Sequence, residues 1–382
     1  MPDLLRDQLQ TTLGAGYTLG RELGGGGMSR VYVAREEALG RDVVVKVLAP
    51  ELAEGLSAER FAREIRLVAA LQEAHILPVL TSGVTADGLP YFTMPLVAGE
   101  SLRARLQRQA ATGAGSVRRE EAVRVLRDVA EALEYAHARG IVHRDIKPEN
   151  VLLSGRNALV ADFGIAKALQ TARTRAPNGP AGAGLTQLGT SLGTPAYMAP
   201  EQAAADPSTD HRADLYAWGV VAYELLAGRH PFAGKTSAQQ LMAAHFAEVP
   251  APLPSSVPLA LASLVARCLA KDPAERPGSA ADVLAALDVA QSGAHTAEVV
   301  ATRRSRRALV VAAFALVLLA LAGGIATWRA RASAAGSDAP PLVAVLPFEM
   351  PRVPAAASPT PPSPTDSATR SPASWRGSPG CA

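Results

Sequence analysis

Cysteine is nearly absent from this chain. There are two in 382 residues, Cys268 and Cys381, far apart and in unlike surroundings. They form no metal-ligand spacing and a poor disulfide pair. Cys268 lies in an apolar helical stretch and reads as a small core residue. Lysine is scarce as well, five residues against many arginines. The net charge is only +3, so composition offers no case for nucleic-acid binding, and no nucleic-acid partner is expected. No internal repeat is present. Met1 to Gln10 is polar and mixed in charge, so the start does not read as a secretory signal. Apolar residues, by contrast, make up 48% of the chain. That is enough for a substantial core, in one large domain or two ordinary ones.

One of the uncharged runs is also strongly apolar. Ala308 to Thr327 is twenty residues without a charged side chain. At ~1.5 Å per residue a helix of that length crosses a hydrocarbon core of about 30 Å. A buried core helix is the alternative, but a soluble helix usually keeps a polar face. Arg303, Arg304, Arg306 and Arg307 precede the span, and Arg329 and Arg331 follow it. The arginine excess places the N-terminal side in the cytoplasm. Residues 339–380 are dense in Pro, Ser and Thr, a composition that cannot offset its ordering entropy. The expected organisation is an N-terminal extension (1–16), a catalytic-type domain (17–290), a basic juxtamembrane linker (291–307), a transmembrane helix (308–327) and a disordered tail outside the cell (328–382). Such a protein sits in the inner membrane with a single pass.

From Tyr17 the pattern is β-rich. Val31-Tyr32-Val33-Ala34, Val43 to Leu48 and Tyr91 to Met94 read as strands of an antiparallel sheet. Phe61, Ile65, Val68 and Leu71 recur at helical spacing, and from Arg119 the chain is mostly helical, with Val123, Leu126, Val129, Ala130 and Leu133 on one stripe. Residues 171–189 read as a mobile loop.

Three segments carry chemistry. They are His143-Arg144-Asp145-Ile146-Lys147-Pro148-Glu149-Asn150, then Asp162-Phe163-Gly164, then Ala199-Pro200-Glu201. Phosphoryl transfer from ATP needs a base near the acceptor hydroxyl, a cation near the γ-phosphate and oxygen ligands for Mg²⁺. These segments supply all three. In that order they resemble the eukaryotic-like Ser/Thr protein kinases of bacteria, over about Tyr17 to Leu287. The resemblance implies an α+β bilobal protein-kinase fold: a small antiparallel-β N-lobe with one main helix, a larger helical C-lobe, and here one transmembrane helix after them.

It also implies roles. Asp145 would be the catalytic base and Lys147 would neutralise the γ-phosphate. Asn150 and Asp162 would hold Mg²⁺, with Mn²⁺ as a substitute. Leu23, Gly24, Gly26 and Gly27 lie in a glycine-rich loop whose backbone N–H groups approach phosphates, with Ser29 where the family has its third glycine. A dinucleotide-binding loop would open a helix after its glycines, whereas Val31 opens a strand. Lys46, a lysine amid valines, would bind phosphate and pair with Glu64. Met94 fits the gatekeeper and Pro95 and Val97 the hinge, and Val31, Val44 and Leu152 fit the adenine sandwich, though these three could equally be ordinary core.

Arg144 would be paired by a phosphate on the activation segment, at Thr186, Thr190 or Ser191. Thr194 resembles the residue that contacts Asp145 and Lys147, and with Lys147 it points to Ser/Thr acceptors. Glu201 with Arg276 resembles a buried anchoring pair, and Asp214 the brace of the catalytic loop. His143 reads as structural, packed on Phe163. Protein substrates, ATP and a homodimer for autophosphorylation follow as partners.

Two rival readings remain. A pseudokinase scaffold would normally lack one of Lys46, Asp145, Asn150 or Asp162, and all are present. A small-molecule phosphotransferase would lack the long segment before Glu201. Leu342 to Glu349 resembles the opening strand of TolB-like sensor domains, without the expected continuation.

Overall fold

A computed structural model describes residues 2–26, 29–50, 58–113, 116–163, 195–235 and 237–291, and beyond them 316, 319–329 and 331. The chain divides into two compact units, Met1–Arg307 and Ala308–Ala382.

The first unit begins with helix α1 (Pro2–Leu13). Strands β1 (Tyr17–Gly26), β2 (Ser29–Glu36), β3 (Arg41–Leu48), β4 (Thr81–Val84) and β5 (Pro90–Pro95) form one sheet in the order β1-β2-β3-β5-β4. All its pairs are antiparallel. Helix α2 (Ala58–Ala69) lies between β3 and β4 in the chain.

Period-two alternation sorts the two faces of this sheet. Val43, Val45 and Val47 face one way, and with Tyr32 and Ala34 they bury Leu9 of α1. Leu48 and Phe92 face the other way and pack on Phe61 and Ile65 of α2. Lys46 shares that second face, because it stands two residues from Leu48 and pairs in register with Phe92. The N-terminal extension is therefore a docked helix. Arg6 donates to the Leu19 carbonyl at 3.1 Å, and Gln10 both donates to Tyr17 O and accepts from Leu19 N.

The helical lobe is larger. It holds α3 (Leu102–Ala111), α4 (Arg119–His137), α5 (Pro200–Ala203), α6 (Arg212–Ala227), α7 (Ala238–Ala247), α8 (Leu259–Cys268) and α9 (280–291). The apolar stripe of α4 reads as expected: Val123, Leu126, Val129, Ala130 and Leu133 are all buried. Helix α6 is mostly apolar and buried on every side, from Ala213 to Leu226, with Asp214 and Glu224 as its buried charged residues. Its Gly219 is a contact requirement, since a Cβ there would lie 2.8 Å from the Cβ of Cys268 on α8. Burial pushes the Cys268 thiol up to about 12, consistent with an inert core residue.

A second sheet was not expected in this helical half. Strands β6 (Glu100–Ser101), β7 (Val151–Ser154) and β8 (Asn157–Val160) pair antiparallel in that order. Two to four residues carry too few alternations to show a period in the sequence. The turn between β7 and β8 uses Gly155 at φ 60, in the left-handed region.

In the second unit, residues 316, 319–329 and 331 are helical and exposed. Among the described residues no helix is long and apolar enough to cross a membrane. Residues 308–315, 317 and 318 of the twenty-residue span lie outside the described residues.

Candidate active site

The small β6-β7-β8 sheet positions the catalytic-type loop. His143 precedes it, fully buried, with its ring edge-on to Phe163 at 4.5 Å between centroids. Its Nε2 contacts the Ala161 carbonyl at 2.9 Å, and its Nδ1 accepts from the Asp145 backbone N–H. His143 is structural, as the sequence indicates.

Asp214 of α6 braces the same loop from below. Its carboxylate accepts the backbone N–H groups of His143 (2.8 Å) and Arg144 (2.7 Å), and meets His137 Nε2 at 2.8 Å. Burial alone would raise its pKa; the His137 hydrogen bond and neighbouring positive charge overcome that and hold it low. Arg144 takes φ 67 there, and its carbonyl accepts from Gln202 at 3.0 Å. A non-glycine residue in that region stores about 1 kcal/mol or more, held by these bonds.

Asp145 is then gripped from both sides. Lys147 Nζ donates to its Oδ2 at 2.7 Å. Asn150 Nδ2 donates to its backbone carbonyl at 2.8 Å and to Oδ2 at 3.0 Å. The Asn150 amide thus spends its donors on Asp145 and leaves its oxygen as the end available to a cation.

Asp162 follows β8, also at positive φ (66). Its Oδ2 accepts from Lys46 Nζ at 2.6 Å. The pairing of Lys46 with Glu64 expected from the sequence is not the one formed. Among the described residues no ion pair reaches Glu64. The physical reason is burial. Asp162 keeps only 15% of its side-chain surface, and a buried carboxylate demands a counter-charge that half-buried Glu64 on α2 does not. Burial, the largest single influence, pushes the Asp162 pKa up; Lys46, with His143 and Lys147, pulls it down, and the net shift is downward. Its second oxygen, Oδ1, is buried without a hydrogen-bond partner. An orphaned anionic oxygen suits a hard cation, and the Asn150 amide oxygen is the second hard donor that the loop offers. Among the described residues no group of three or more His, Cys, Asp or Glu gathers for a metal. Mg²⁺ accepts such a sparse protein set, with phosphates and water completing the octahedron.

The remaining nucleotide-site residues sit on the sheet and the connection out of it. Gly24 takes φ 147, a conformation that side-chain-bearing residues rarely adopt, and Leu23 is exposed. Val31 pairs with Lys46 and Val44 with Met94, so all four share one face. Pro95 ends β5, Val97 lies half-buried beyond it, and Leu152 is on β7. The connection passes tightly over β7, where a Cβ on Gly99 would fall 1.8 Å from the Leu153 carbonyl oxygen. Gly26 closes β1. Gly27, Gly164, Thr186, Thr190, Ser191, Thr194 and the 171–189 loop lie outside the described residues.

Beyond that gap, Glu201 and Arg276 are brought together. Arg276 donates from Nη1 and Nη2 to the two Glu201 oxygens at 2.6 and 2.8 Å. Three further residues near the site carry no sequence signal of their own. Arg103 of α3 reaches Glu149, Glu224 and the hydroxyl of Tyr197. Only Glu149 belongs to a recognisable motif; the other contacts depend on the fold.

Comparison with known proteins is concordant. Residues 17–287 match the protein kinase domain. The serine/threonine-protein kinase pkn2 of Myxococcus xanthus is 38% identical over 282 residues, 71% of this chain and 32% of its own length. PknD of Mycobacterium tuberculosis is 40% identical over 274 residues, 70% of this chain and 38% of its own. The solved kinase domain of M. tuberculosis PknI superimposes with a TM-score of 0.55 at 31% identity, covering 74% of this chain and 96% of that one. The chain spans well under half the length of the curated relatives it matches.

Proposed function

The chain belongs to the protein kinase family, and from that premise we propose that it is an ATP-dependent serine/threonine protein kinase. One observation carries the reading: Asp145 is clasped by Lys147 and Asn150 beside an Asp162 with a free buried oxygen. Asp145 would align the acceptor hydroxyl and take its proton. As that oxygen bonds to the γ-phosphorus, the bond to the ADP oxygen breaks and ADP leaves. Lys147 stands 2.7 Å from the base and would offset charge on the transferring group. Asn150 and Asp162 would hold Mg²⁺, or Mn²⁺ in its place, which neutralises the phosphates. Lys46 has three donors and spends one on Asp162, so it could also engage Glu64 if α2 brought that carboxylate within reach. Positioning and electrostatics supply nearly all the acceleration in this chemistry.

The test uses the full chain in detergent with labelled ATP, Mg²⁺ and a protein acceptor. Asp145→Asn is expected to keep ATP affinity and lose on the order of 10³-fold or more in turnover. Near-wild-type turnover would remove Asp145 from its role.

Regulation and placement belong to the same proposal. Autophosphorylation at Thr186, Thr190 or Ser191, within a homodimer, would give Arg144 an anionic partner. Residues 308–327 would form a single membrane span with 1–307 in the cytoplasm. The uncharged run, the arginines before it and the need for cytosolic ATP support that orientation. An enzyme reporter that works only outside the cell is expected to be active after Ser337 and silent after Gln291. The reverse pattern would exclude this topology.

A further inference from the structure

We infer that Arg103 occupies, from within the chain, an acidic pocket that would otherwise select a basic residue of the protein substrate. The inference rests on the kinase reading above and concerns which acceptors it takes.

All three guanidinium nitrogens of Arg103 are engaged. Nε donates to Glu149 at 2.9 Å and Nη1 to Glu224 at 2.9 Å. Nη2 donates to the Tyr197 hydroxyl, which in turn donates to Glu224. The guanidinium carbon also lies 5.7 Å from the centre of the Tyr197 ring. Three elements meet at this one cation. Glu149 belongs to the catalytic loop, four residues after the base. Tyr197 belongs to the 3₁₀ turn Pro195–Tyr197 just before α5. Glu224 belongs to the buried helix α6.

Arg103 itself is placed by the start of α3. Ser101 caps that helix by accepting from Ala104 N–H at 3.2 Å, and β6 ties Ser101 to Leu152 of β7. The planar fork of arginine suits such a multi-acceptor pocket; a lysine would not span it.

The charges do not balance. Two carboxylates face one guanidinium, and Glu149 keeps 46% of its side-chain surface. The pocket is thus open on the side of the catalytic loop. Remove Arg103, and it presents two carboxylates and a phenol to whatever lies along that loop. A substrate arginine near the acceptor hydroxyl would meet the same acceptors in charge-assisted bonds. With Arg103 in place, that position is already filled by a like charge, and like charges in one site exclude each other.

The test measures binding and turnover of serine peptides by the full chain in detergent. Arginine is placed in turn at each position flanking the serine, with a citrulline version of each as the neutral control. Wild type is expected to bind arginine and citrulline peptides equally. Arg103→Ala is expected to favour arginine at one position by about tenfold or more, in fluorescence anisotropy and in kcat/KM. Free guanidinium ion should erase the gain, and so should adding Glu149→Gln. If Arg103→Ala loses its fold because Glu224 is left unpaired, Arg103→Ala with Glu224→Gln keeps the question open to measurement. There Glu149 alone should give a smaller preference. A folded variant with no arginine preference overturns the inference, as does a wild type that already prefers arginine. Failure of the wild type to phosphorylate any peptide would count against the kinase reading instead, while the anisotropy arm still decides the pocket.

Discussion

Arg276 has no exposed side-chain surface, and Glu201 has 9%. A pair so dry depends on geometry, because both ions forgo water. Arg276 meets that demand with more than its carboxylate. It also donates to the carbonyls of Ala270 (2.9 Å), Arg212 (3.0 Å) and Lys271 (3.1 Å). One side chain thus ties the start of α6 and the chain after α8 to α5. Truncating it leaves a buried carboxylate without its counter-ion and removes the bonds to three carbonyls. Arg276→Ala is expected to cost ~3–5 kcal/mol in denaturant unfolding. Glu201→Gln keeps the shape and should cost less. Equal stability in all three proteins would show the pair to be dispensable.

Helix α1 shows what an element adds that its residues do not announce. Leu5, Leu9 and Leu13 recur every four residues, so they share one face. That face closes over the β3 valines, with Leu9 fully buried. The sheet's other face belongs to α2 and the nucleotide site, so α1 and Lys46 act on opposite sides of the same strand. Leu9→Ala is expected to cost ~2–5 kcal/mol, lowering the melting temperature on the order of 10 °C. A melting temperature unchanged from wild type would mean that α1 does not hold the sheet.

At the scale of the whole molecule, acid is the revealing perturbation. His245 is buried and its pKa is lowered to about 4, first by burial and then by neighbouring His230 and Lys271. It meets the Tyr216 hydroxyl at 2.9 Å and the rings of Phe232 and His230. His230 is lowered too, chiefly by burial, and contacts Ala196 O, with Tyr197, Glu224 and Arg103 nearby. In the unfolded chain a histidine titrates near 6.5. Between about 6.5 and 4, therefore, the unfolded state binds protons that the folded state refuses. Stability falls as pH drops through that window, by about 3 kcal/mol for His245. Asp162 and Asp214, both lowered, add their loss only below the ordinary carboxylate range. Unfolding measured from pH 7 to pH 4.5 should show the decline, and His245→Phe should flatten it. A variant with the wild-type slope would assign the decline elsewhere.

Much of this was written in the one-dimensional chain. Residues 143–150 and 162–163 hold their chemistry within short spacings, so base, amide and carboxylate were legible as a set. The β-branched runs and the α4 stripe announced themselves through period, because burying one face imposes that period on the sequence. The partners of charge were another matter. Glu201 with Arg276 came from resemblance. Lys46 with Glu64 came the same way and is not the pair formed, since a buried Asp162 outbids a half-exposed glutamate for one ammonium. Arg103, Tyr197 and Glu224 stand up to 121 residues apart, and nothing local marks them as neighbours. The sequence alone determined which residue types and local elements exist, because these follow from spacing along a single element. Only the tertiary structure decided which charges meet, because that depends on burial, and burial is a property of how distant elements pack.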